Sequence, residues 1–306
     1  MNIIYVTTGN KYTDIDSLAC AVAYTELLKL RGQKALTYLP GLLNNTITEA
    51  IKEWNMEYVD KVSDFNAKFV IVDISDPDYL SKQINLENII EIYDHHYGFE
   101  KYWKDKLGEK AKIEAVGACA TQIWEEYKLS RLEDKISNVS ANLLYTAIIQ
   151  NTLNFNAKVL VDRDKVAFEE LKKYISLPSN WDKIYYDDRE KETQDNILET
   201  ITNDTKTLKI PSFDNQIIIG QLELWDVPSF LDKYASEIKA SLSILGSPYW
   251  FMNLSGLKDG KNYLYAESDK LQRILEKVTG AKFKDNIGTT DRLWLRKEIV
   301  RDLQKL

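Results

Sequence analysis

The stretch Asn88-Ile89-Ile90-Glu91-Ile92-Tyr93-Asp94-His95-His96 contains both histidines of this 306-residue chain. Its apolar, β-branched part predicts a buried strand, and the Asp-His-His triplet follows at the strand's carboxyl end. One imidazole in such a position can hold a metal ion while the other contacts a phosphate. A chance pair of surface histidines is the alternative interpretation, because a short motif is by itself only a hypothesis.

Two other predicted strands also lead into aspartates. Residues 3–7 run into a turn that contains Asp14 and Asp16, and a later strand ends at Asp73. Ligands of open α/β sheets bind beyond the carboxyl ends of the strands, so we expect these acids to converge with the histidines. Either Asp16 or Ser17 could instead cap the following helix, but capping does not easily account for both acids of the turn. Converging buried carboxylates need a cation, and oxygen ligands with one imidazole suit Mn²⁺ or Mg²⁺.

Strands and helices alternate along the first half of the sequence. The predicted strands are residues 3–7, 35–39, 69–73 and 89–93, and the predicted helices are residues 17–30, 47–54, 118–127 and 136–150. Alternation of this kind, with continuous β-branched strands, is typical of a parallel sheet covered by helices on both faces. We therefore predict a doubly wound α/β domain over residues 1–180.

The composition changes after this region. Residues 176–194 are rich in Pro, Ser, Asn, Asp and Lys, and we interpret residues 181–194 as a linker. The block that follows, residues 195–306, combines predicted helices at 195–207 and 227–245 with predicted strands at 216–223, 249–254 and 262–266. The last two strands are expected to form an antiparallel pair. The block is therefore predicted to be a smaller α/β domain with a mixed sheet.

Composition and charge restrict the class of protein. The formal net charge of −7 argues against a large nucleic-acid footprint but leaves room for a small anionic ligand at a metal site. No stretch approaches the roughly 18 apolar residues of a membrane span, and the N-terminus has no basic leader. Cys20 and Cys119 lie in apolar segments and are expected to be reduced, buried thiols of a cytoplasmic protein. The sequence gives no indication of an oligomeric state.

The motifs around these acids resemble those of the DHH phosphoesterase superfamily. The pattern G-(H/N)-x-x-x-D-x-D-S is matched by Gly9, Asn10, Asp14, Asp16 and Ser17. The triplet Asp94-His95-His96 is the motif that names the family. Residues 116–121 resemble its G-S-C-(A/S)-T turn with Ala118 in place of serine, and residues 147–153 resemble A-I-x-x-D-T-L with Asn151 in place of aspartate.

Within the superfamily, the chain is most similar to the branch that holds family II inorganic pyrophosphatases, exopolyphosphatases and prune proteins. Asn10 is the residue that exopolyphosphatases and prune proteins carry, whereas pyrophosphatases carry histidine there. The resemblance implies a binuclear metal site in which Asp14 and Asp73 hold one ion, with Asn10 as a further oxygen ligand. The other ion would be held by Asp16, Asp73 and His95, so that Asp73 bridges the two.

The same resemblance implies roles for three further residues. Asp94 would orient an imidazole, and His96 would face the substrate phosphate, so that His96, Asp73 and Asp94 form the catalytic set. The family has a metal-ligating aspartate at the position of Asn151. The neutral amide oxygen of Asn151 therefore implies weaker or altered binding of the second ion.

The C-terminal block resembles the DHH-associated domain of this branch. Asp204-Thr205-Lys206 is similar to its D-x-K motif, and residues 295–300 resemble its terminal S-R-K-x-x-V. The resemblance implies that Lys206, Arg296 and Lys297 bind the electrophilic phosphate and that the active site lies in the interdomain cleft. Without it, Arg296 and Lys297 would be interpreted as a solvated helix face, the usual meaning of such a charge run.

The implied function is hydrolysis of the phosphoanhydride bonds of pyrophosphate or short polyphosphate by two-metal activation of water. One alternative is a degenerate member that binds phosphate ligands or a protein partner with little turnover, because Asn10, Ala118 and Asn151 depart from the ligand-rich pattern. A second alternative is a nuclease or cyclic-dinucleotide phosphodiesterase of the same superfamily. Those members carry a glycine-rich G-G-G-H motif, which this chain lacks, since both its histidines belong to the DHH triplet.

Overall fold

The computed structural model describes residues 3–64, 66–203 and 205–305. The chain divides into two compact units, Met1–Asp182 and Lys183–Leu306. The strands of the first unit are β1 (Ile4–Thr7), β2 (Tyr12–Thr13), β3 (Ala35–Tyr38), β4 (Leu42–Leu43), β5 (Lys68–Val72), β6 (Ile89–Asp94) and β7 (Ala111–Ile113). Its helices are α1 (Ile15–Leu30), α2 (Glu49–Lys52), α3 (Glu100–Leu107), α4 (Cys119–Leu129), α5 (Asn138–Asn151) and α6 (Asp162–Leu171).

The main sheet of the first unit has five parallel strands in the order β3-β1-β5-β6-β7. Val6 of β1 pairs with Thr37 on one side and with Val70 on the other. The chain therefore runs outward from β1 to β3 and returns to β5, and the strand order reverses next to β1. A crevice at such a switch point, beyond the carboxyl ends of the strands, is the usual ligand site of this architecture.

Helices cover both faces of this sheet, so the predicted doubly wound α/β fold is confirmed. On one face, residues of β1, β5 and β6 form a core with Trp103 of α3, whose indole nitrogen donates to the carbonyl of Ser75 at 2.6 Å. On the other face lies α1, which packs against α4 and α5 and is buried along almost its whole length. The predicted helix at 47–54 is shorter than expected, since α2 spans only Glu49–Lys52, and the three-residue strand β7 was not predicted.

Helix α1 begins two residues earlier than the sequence predicted. Asp14 is its N-cap, because the carboxylate of Asp14 accepts a hydrogen bond from the Ser17 backbone nitrogen at 2.9 Å. One of the two acids of the turn therefore does cap the helix, but it is Asp14 and not Asp16 or Ser17. Asp16 instead lies in the first helical turn and is fully buried.

The second unit contains a six-stranded mixed sheet, as predicted. Its strands are β8 (Lys206–Leu208), β9 (Ile217–Leu224), β10 (Tyr249–Gly256), β11 (Lys261–Tyr265), β12 (Lys282–Lys284) and β13 (Ile287–Thr290). Their order is β12-β13-β11-β10-β9-β8, and β9 and β10 are parallel while the other neighbours are antiparallel. Two helices cover one face, α8 (Ile197–Asn203) and α9 (Val227–Ser243), and two cover the other, α10 (Asp269–Thr279) and α11 (Arg296–Leu303).

The segment interpreted as a linker is helical. Helix α7 spans Trp181–Asp195, and its residues Tyr185 and Tyr186 are fully buried. Tyr186 stacks on Trp225, and the guanidinium of Arg189 lies 3.0 Å from the carboxylate of Glu223. The many charged residues of this segment suggested a linker, but its two adjacent tyrosines supply the apolar surface that fixes it as a helix.

Two expectations from composition concern the thiols and the membrane. Cys20 and Cys119 are free and buried, as predicted. Within the part of the chain that the structure describes, no helix has both the length and the apolar character needed to cross a bilayer.

Candidate metal centre

Asp73 lies at the switch point, directly after β5. Its φ of 58° is in the left-handed region, which aspartate and asparagine adopt more readily than other non-glycine residues. Its backbone nitrogen donates to the carbonyl of Tyr93 at 2.8 Å, and the Ser17 hydroxyl donates to its Oδ2 at 2.7 Å. Its Oδ1 is buried and receives no hydrogen bond from the described residues. A buried carboxylate oxygen of this kind is costly unless a cation satisfies it.

His95 presents one ring nitrogen to this oxygen. Its Nδ1 lies 3.1 Å from the carbonyl of Val116, which can only accept, so Nδ1 carries a proton and Nε2 is the ring nitrogen that a metal ion would use. Nε2 lies 3.3 Å from Asp73 Oδ1 and 3.9 Å from Asp16 Oδ2. Asp73, His95 and His96 each offer a ligand atom, and these atoms lie within 4.8 Å of one another.

Asp16 is held by the N-terminus of α4. Its Oδ2 accepts from the backbone nitrogen of Cys119 at 2.8 Å, and its Oδ1 accepts from that of Ala120 at 2.9 Å. A helix N-terminus favours negative charge, which explains how a fully buried acid is tolerated here. Asn151, the last residue of α5, donates its amide nitrogen to Asp16 Oδ2. The nitrogen of this amide, and not the expected oxygen, therefore faces the acid.

The three acids of the centre all have raised pKa values. Burial is the main cause for Asp16, and the charge of Asp73 adds to it, so the pKa of Asp16 rises to about 6. Burial also raises the pKa of Asp14 and of Asp73, and each is raised further by a neighbouring aspartate. Acids that repel one another in a buried site fit a divalent cation, because its charge would offset theirs. The donor set of carboxylates and one imidazole is the type that binds Mn²⁺ or Mg²⁺.

Asp94 and His96 form a pair beside these acids. Asp94 is fully buried, and its Oδ1 accepts from the backbone nitrogens of His95 and His96 and from Nδ1 of His96 at 2.8 Å. The side chain of His96 is 60% exposed. Burial lowers the pKa of His96, but the hydrogen bond and charge of Asp94 outweigh burial and raise it above the ordinary value. An exposed imidazole whose Nδ1 is held by a carboxylate can, when protonated, donate a hydrogen bond from Nε2 to a phosphate oxygen.

A residue that the sequence did not single out, Asp164, anchors the loop that holds both Asp16 and His95. The buried carboxylate of Asp164 accepts from the backbone nitrogen of Gly117 at 2.9 Å and from the hydroxyl of Thr121 at 2.6 Å. A Cβ at Gly117 would lie 2.6 Å from Asp164 Oδ2, so only glycine fits. Asp164 belongs to the charged run Asp162-Arg163-Asp164-Lys165, which carries no local signal of this role.

Four further residues were predicted to belong to the site: Asn10, Lys206, Arg296 and Lys297. Asn10 is exposed, and its amide nitrogen donates to the carbonyl of Leu80 at 3.1 Å. Lys206 is exposed at the start of β8, and Arg296 begins α11, so both belong to the second unit. The side chain of Lys297 lies outside the described residues, as does Asp204. The roles of these residues, and the interdomain cleft itself, stay predictions.

Comparison with known proteins bears on the family. Residues 4–148 match the model of the DHH family, N-terminal domain. A probable manganese-dependent inorganic pyrophosphatase from Bacillus licheniformis is 25% identical over 300 residues, which cover 95% of this chain and 94% of the relative.

Two solved structures share the fold. A protein described as a family II inorganic pyrophosphatase from Methanococcus jannaschii superposes with a TM-score of 0.62 at 20% identity, over 99% of this chain and 98% of its own. An exopolyphosphatase-related protein from Bacteroides fragilis has a TM-score of 0.51 at 11% identity, over 99% of this chain and 91% of its own. These findings confirm the resemblance inferred from the motifs, and the part of the chain that carries the match to the DHH family, N-terminal domain, is residues 4–148.

Proposed function

We propose that this protein is a metal-dependent phosphohydrolase that cleaves phosphoanhydride bonds of pyrophosphate or short polyphosphate. The observation that carries the proposal is Asp73 Oδ1, a buried carboxylate oxygen with no hydrogen bond from the described residues that faces Nε2 of His95. The names of the relatives support the substrate class, since inorganic pyrophosphatase is the activity that the Bacillus licheniformis relative is named for.

Two Mn²⁺ or Mg²⁺ ions would be held by the first unit. Asp14, Asp73 and Asn10 would bind one, and Asp16, Asp73 and His95 the other. Each oxygen of Asp16 keeps lone-pair capacity beyond its bonds to the α4 backbone, so a cation can share it. Ligation by Asn151 would require its amide to turn so that the oxygen replaces the nitrogen.

When bound, the ions would lower the pKa of a water molecule and offset charge on the phosphoryl oxygens. The residues of the chain would bind and orient the substrate around them. His96, held by Asp94, would donate a hydrogen bond to a phosphate oxygen and could protonate the leaving phosphate as the bridging P–O bond breaks. Lys206, Arg296 and Lys297 would bind the phosphoryl group that is attacked.

This proposal gives the two domains different roles. Residues 1–180 would be the metal-binding catalytic domain, and residues 195–306 the substrate-binding domain. The ligand would be a small phosphate compound, not a nucleic acid or a membrane, and the cytoplasm is the expected location.

One observation favours a second candidate, a protein that binds phosphate compounds with little turnover. The hydrogen bond from the Asn151 amide to Asp16 adds to the two bonds from the α4 backbone and further reduces the need of this acid for a cation. We expect a chain with this contact to bind its second ion less tightly than one with aspartate at that position. Binding without fast hydrolysis is the behaviour that would follow.

Phosphate release is the decisive measurement. Pyrophosphate, tripolyphosphate, a short oligonucleotide and a cyclic dinucleotide would each be tested across Mn²⁺ and Mg²⁺ titrations, with Asp73→Asn as the inactive control. Metal-dependent release from pyrophosphate or tripolyphosphate supports the proposal. Tight calorimetric binding of these anions without release supports the second candidate, and cleavage confined to the nucleotides contradicts both.

A further inference from the structure

A row of amide side chains crosses the sheet of the second unit on the face that α10 and α11 cover. Gln221 of β9 lies beside Asn253 of β10, and Asn262 of β11 hydrogen-bonds to Asn253, with its Nδ2 donating to Asn253 Oδ1 at 2.7 Å. Asn253 and Asn262 are fully buried, and Gln221 is half-buried. We call these three residues the polar ladder. Buried amides in a hydrophobic layer are costly unless they are hydrogen-bonded, so the ladder needs a partner.

The same face of the sheet is apolar two residues away from the polar ladder along each strand. Ile219, Phe251 and Leu264 precede or follow the ladder positions by two residues, and they belong to the core that α11 closes with Ile299 and Leu303. Apolar side chains therefore would have fitted the packing at this layer. The change from apolar to amide side chains occurs where the chain between β13 and α11 crosses the sheet.

The partner of the ladder is the backbone of that crossing segment. Asn253 Nδ2 donates to the carbonyl of Trp294 at 2.8 Å, and the backbone nitrogen of Trp294 donates to Asn262 Oδ1 at 3.3 Å. The backbone nitrogen of Arg296 donates to Gln221 Oε1 at 2.9 Å. Thr290 extends the series, because its hydroxyl donates to the carbonyl of Arg292 at 2.6 Å. The segment is held at alternate residues, as a strand would be, with side chains in place of a neighbouring backbone.

This arrangement fixes the start of α11. The Arg296 nitrogen held by Gln221 is the first of the helix, so the ladder determines where the Arg296 side chain leaves the backbone. A long guanidinium chain loses conformational freedom when it binds a phosphate, and a fixed backbone reduces the part of that loss which binding must offset. An apolar layer would hold the segment less specifically, because apolar contacts have no preferred direction.

We propose that Gln221, Asn253 and Asn262 are positioning residues that hold Arg296 for a phosphate group of the substrate. The inference rests on the proposed function, since it takes Arg296 as a phosphate ligand. The ladder residues act through the backbone of residues 294–296 and not by touching the substrate.

The test compares Gln221→Met with a matched control. Methionine fills the same space but cannot accept the hydrogen bond from the Arg296 nitrogen. We expect the KM for pyrophosphate to rise about 3- to 10-fold, the effect of one neutral hydrogen bond, with a smaller change in kcat. The control is Gln272→Met in α10, which removes a similar bond from Gln272 Nε2 to the carbonyl of Ala266, at 2.7 Å, and is expected to leave KM unchanged.

The double variant separates positioning from general stability. In an Arg296→Ala background, Gln221→Met is expected to have no further effect on KM, because the residue it positions is gone. Hydrogen exchange of residues 292–296 gives a second measure that does not depend on activity, and it should speed up in Gln221→Met but not in Gln272→Met. An unchanged exchange rate, or a KM effect that persists without the arginine side chain, overturns the proposal.

Failure of the proposed function would be recognised separately. If the wild type binds pyrophosphate without hydrolysing it, hydrolysis is excluded, and calorimetric affinity replaces KM in the same five proteins with the same expected pattern. If the wild type hydrolyses pyrophosphate but Gln221→Met matches the control, the function stands and the positioning role is wrong. A wild type that neither binds nor cleaves pyrophosphate or tripolyphosphate overturns both.

Discussion

The two ends of the contact between α1 and α4 differ in how their charges are satisfied. At one end, Asp16 of α1 lies against the first residues of α4, near Asp73. At the other end, the guanidinium of Arg31, which caps α1, lies 3.0 Å from the Glu126 carboxylate of α4, and Lys112 also pairs with Glu126. Both ends bury acids, but among the described residues only the second supplies lysine and arginine side chains to meet them.

The pKa shifts record this difference. Burial and the charge of Asp73 raise the pKa of Asp16 to about 6, whereas Lys112 and Arg31 overcome the effect of burial and lower the pKa of Glu126. A group of acids that lacks its cation makes the metal-free fold less stable, and a ligand can recover that free energy. The end that contains Glu126 stabilises the fold, whereas the end that contains Asp16 and Asp73 is where we expect a ligand to bind.

The largest effect should come from Asp73→Asn. Asparagine tolerates the left-handed backbone at this position, so the change removes charge without straining the chain. We expect Mn²⁺ affinity to fall by at least about 100-fold, beyond the range seen when only an outer partner of a ligand is lost. Calorimetry would measure this against Asp78→Asn, a change at an exposed aspartate of the same loop. Retention of both ions would refute the bridging role.

The second effect concerns Asp164, a buried acid that is satisfied by hydrogen bonds alone. Asp164→Ala would leave the Gly117 nitrogen and the Thr121 hydroxyl without their acceptor, and we expect a loss of about 3 kcal/mol in the free energy of unfolding. Mn²⁺ affinity should fall about 10-fold because the loop that binds Asp16 and His95 loosens. Urea unfolding and calorimetry would test the two expectations. A destabilised protein with unchanged metal affinity would show that the loop keeps its shape without Asp164.

The third prediction is that Asn151→Asp lowers the stability of the metal-free protein but raises its affinity for Mn²⁺. Asn151→Asp replaces a hydrogen-bond donor to Asp16 with a like charge, so the metal-free protein should lose about 1 kcal/mol of stability. Mn²⁺ affinity should rise about 10-fold, and phosphate release should rise if metal occupancy limits the native rate. Unchanged affinity would mean that residue 151 does not bind the ion. Tighter metal without faster turnover would favour a protein suited to another substrate or to binding alone.

The smallest effect should appear at the end of the α1–α4 contact that contains Glu126. Glu126→Gln removes the partner of Arg31 and Lys112 and should cost about 1 kcal/mol at pH 7, with Mn²⁺ affinity unchanged. Because the folded-state pKa of Glu126 lies below its ordinary value of 4.5, its contribution is present above that pH. It is lost as the pH falls through the folded-state pKa. Urea unfolding of both proteins from pH 7 to about pH 3 should therefore show curves that converge on acidification. A constant difference would contradict the assignment.

The sequence predicted the site residues that directly follow its predicted strands. Asp73, Asp94 and His95 follow apolar runs directly, so a parallel sheet was enough to bring them together. Asp164 could not be found this way, because its contact with Gly117 joins residues 47 positions apart. The pairing of Arg31 with Glu126 spans 95 positions and likewise has no local signal.

Other features that the sequence did not reveal also depend on contacts between residues far apart in the chain. Tyr185 and Tyr186 are buried within a highly charged segment, and composition alone favoured a linker there. Asn253 and Asn262 lie in strands that the sequence identified, but a strand pattern does not reveal that amides on one face meet a distant backbone. Side-chain partners across the fold are the part that periodicity and motifs leave undetermined.

The bond between Asp16 and the Cys119 nitrogen joins residues 103 positions apart. Such a long loop closes late, because its entropy is lost before its contacts are gained. During synthesis, Asp14 and Asp16 emerge well before residues 116–121, the turn that holds Asp16. A newly made chain would have no complete ion-binding pocket until the five-stranded sheet has formed, and it should acquire its metal as one of the last steps of folding.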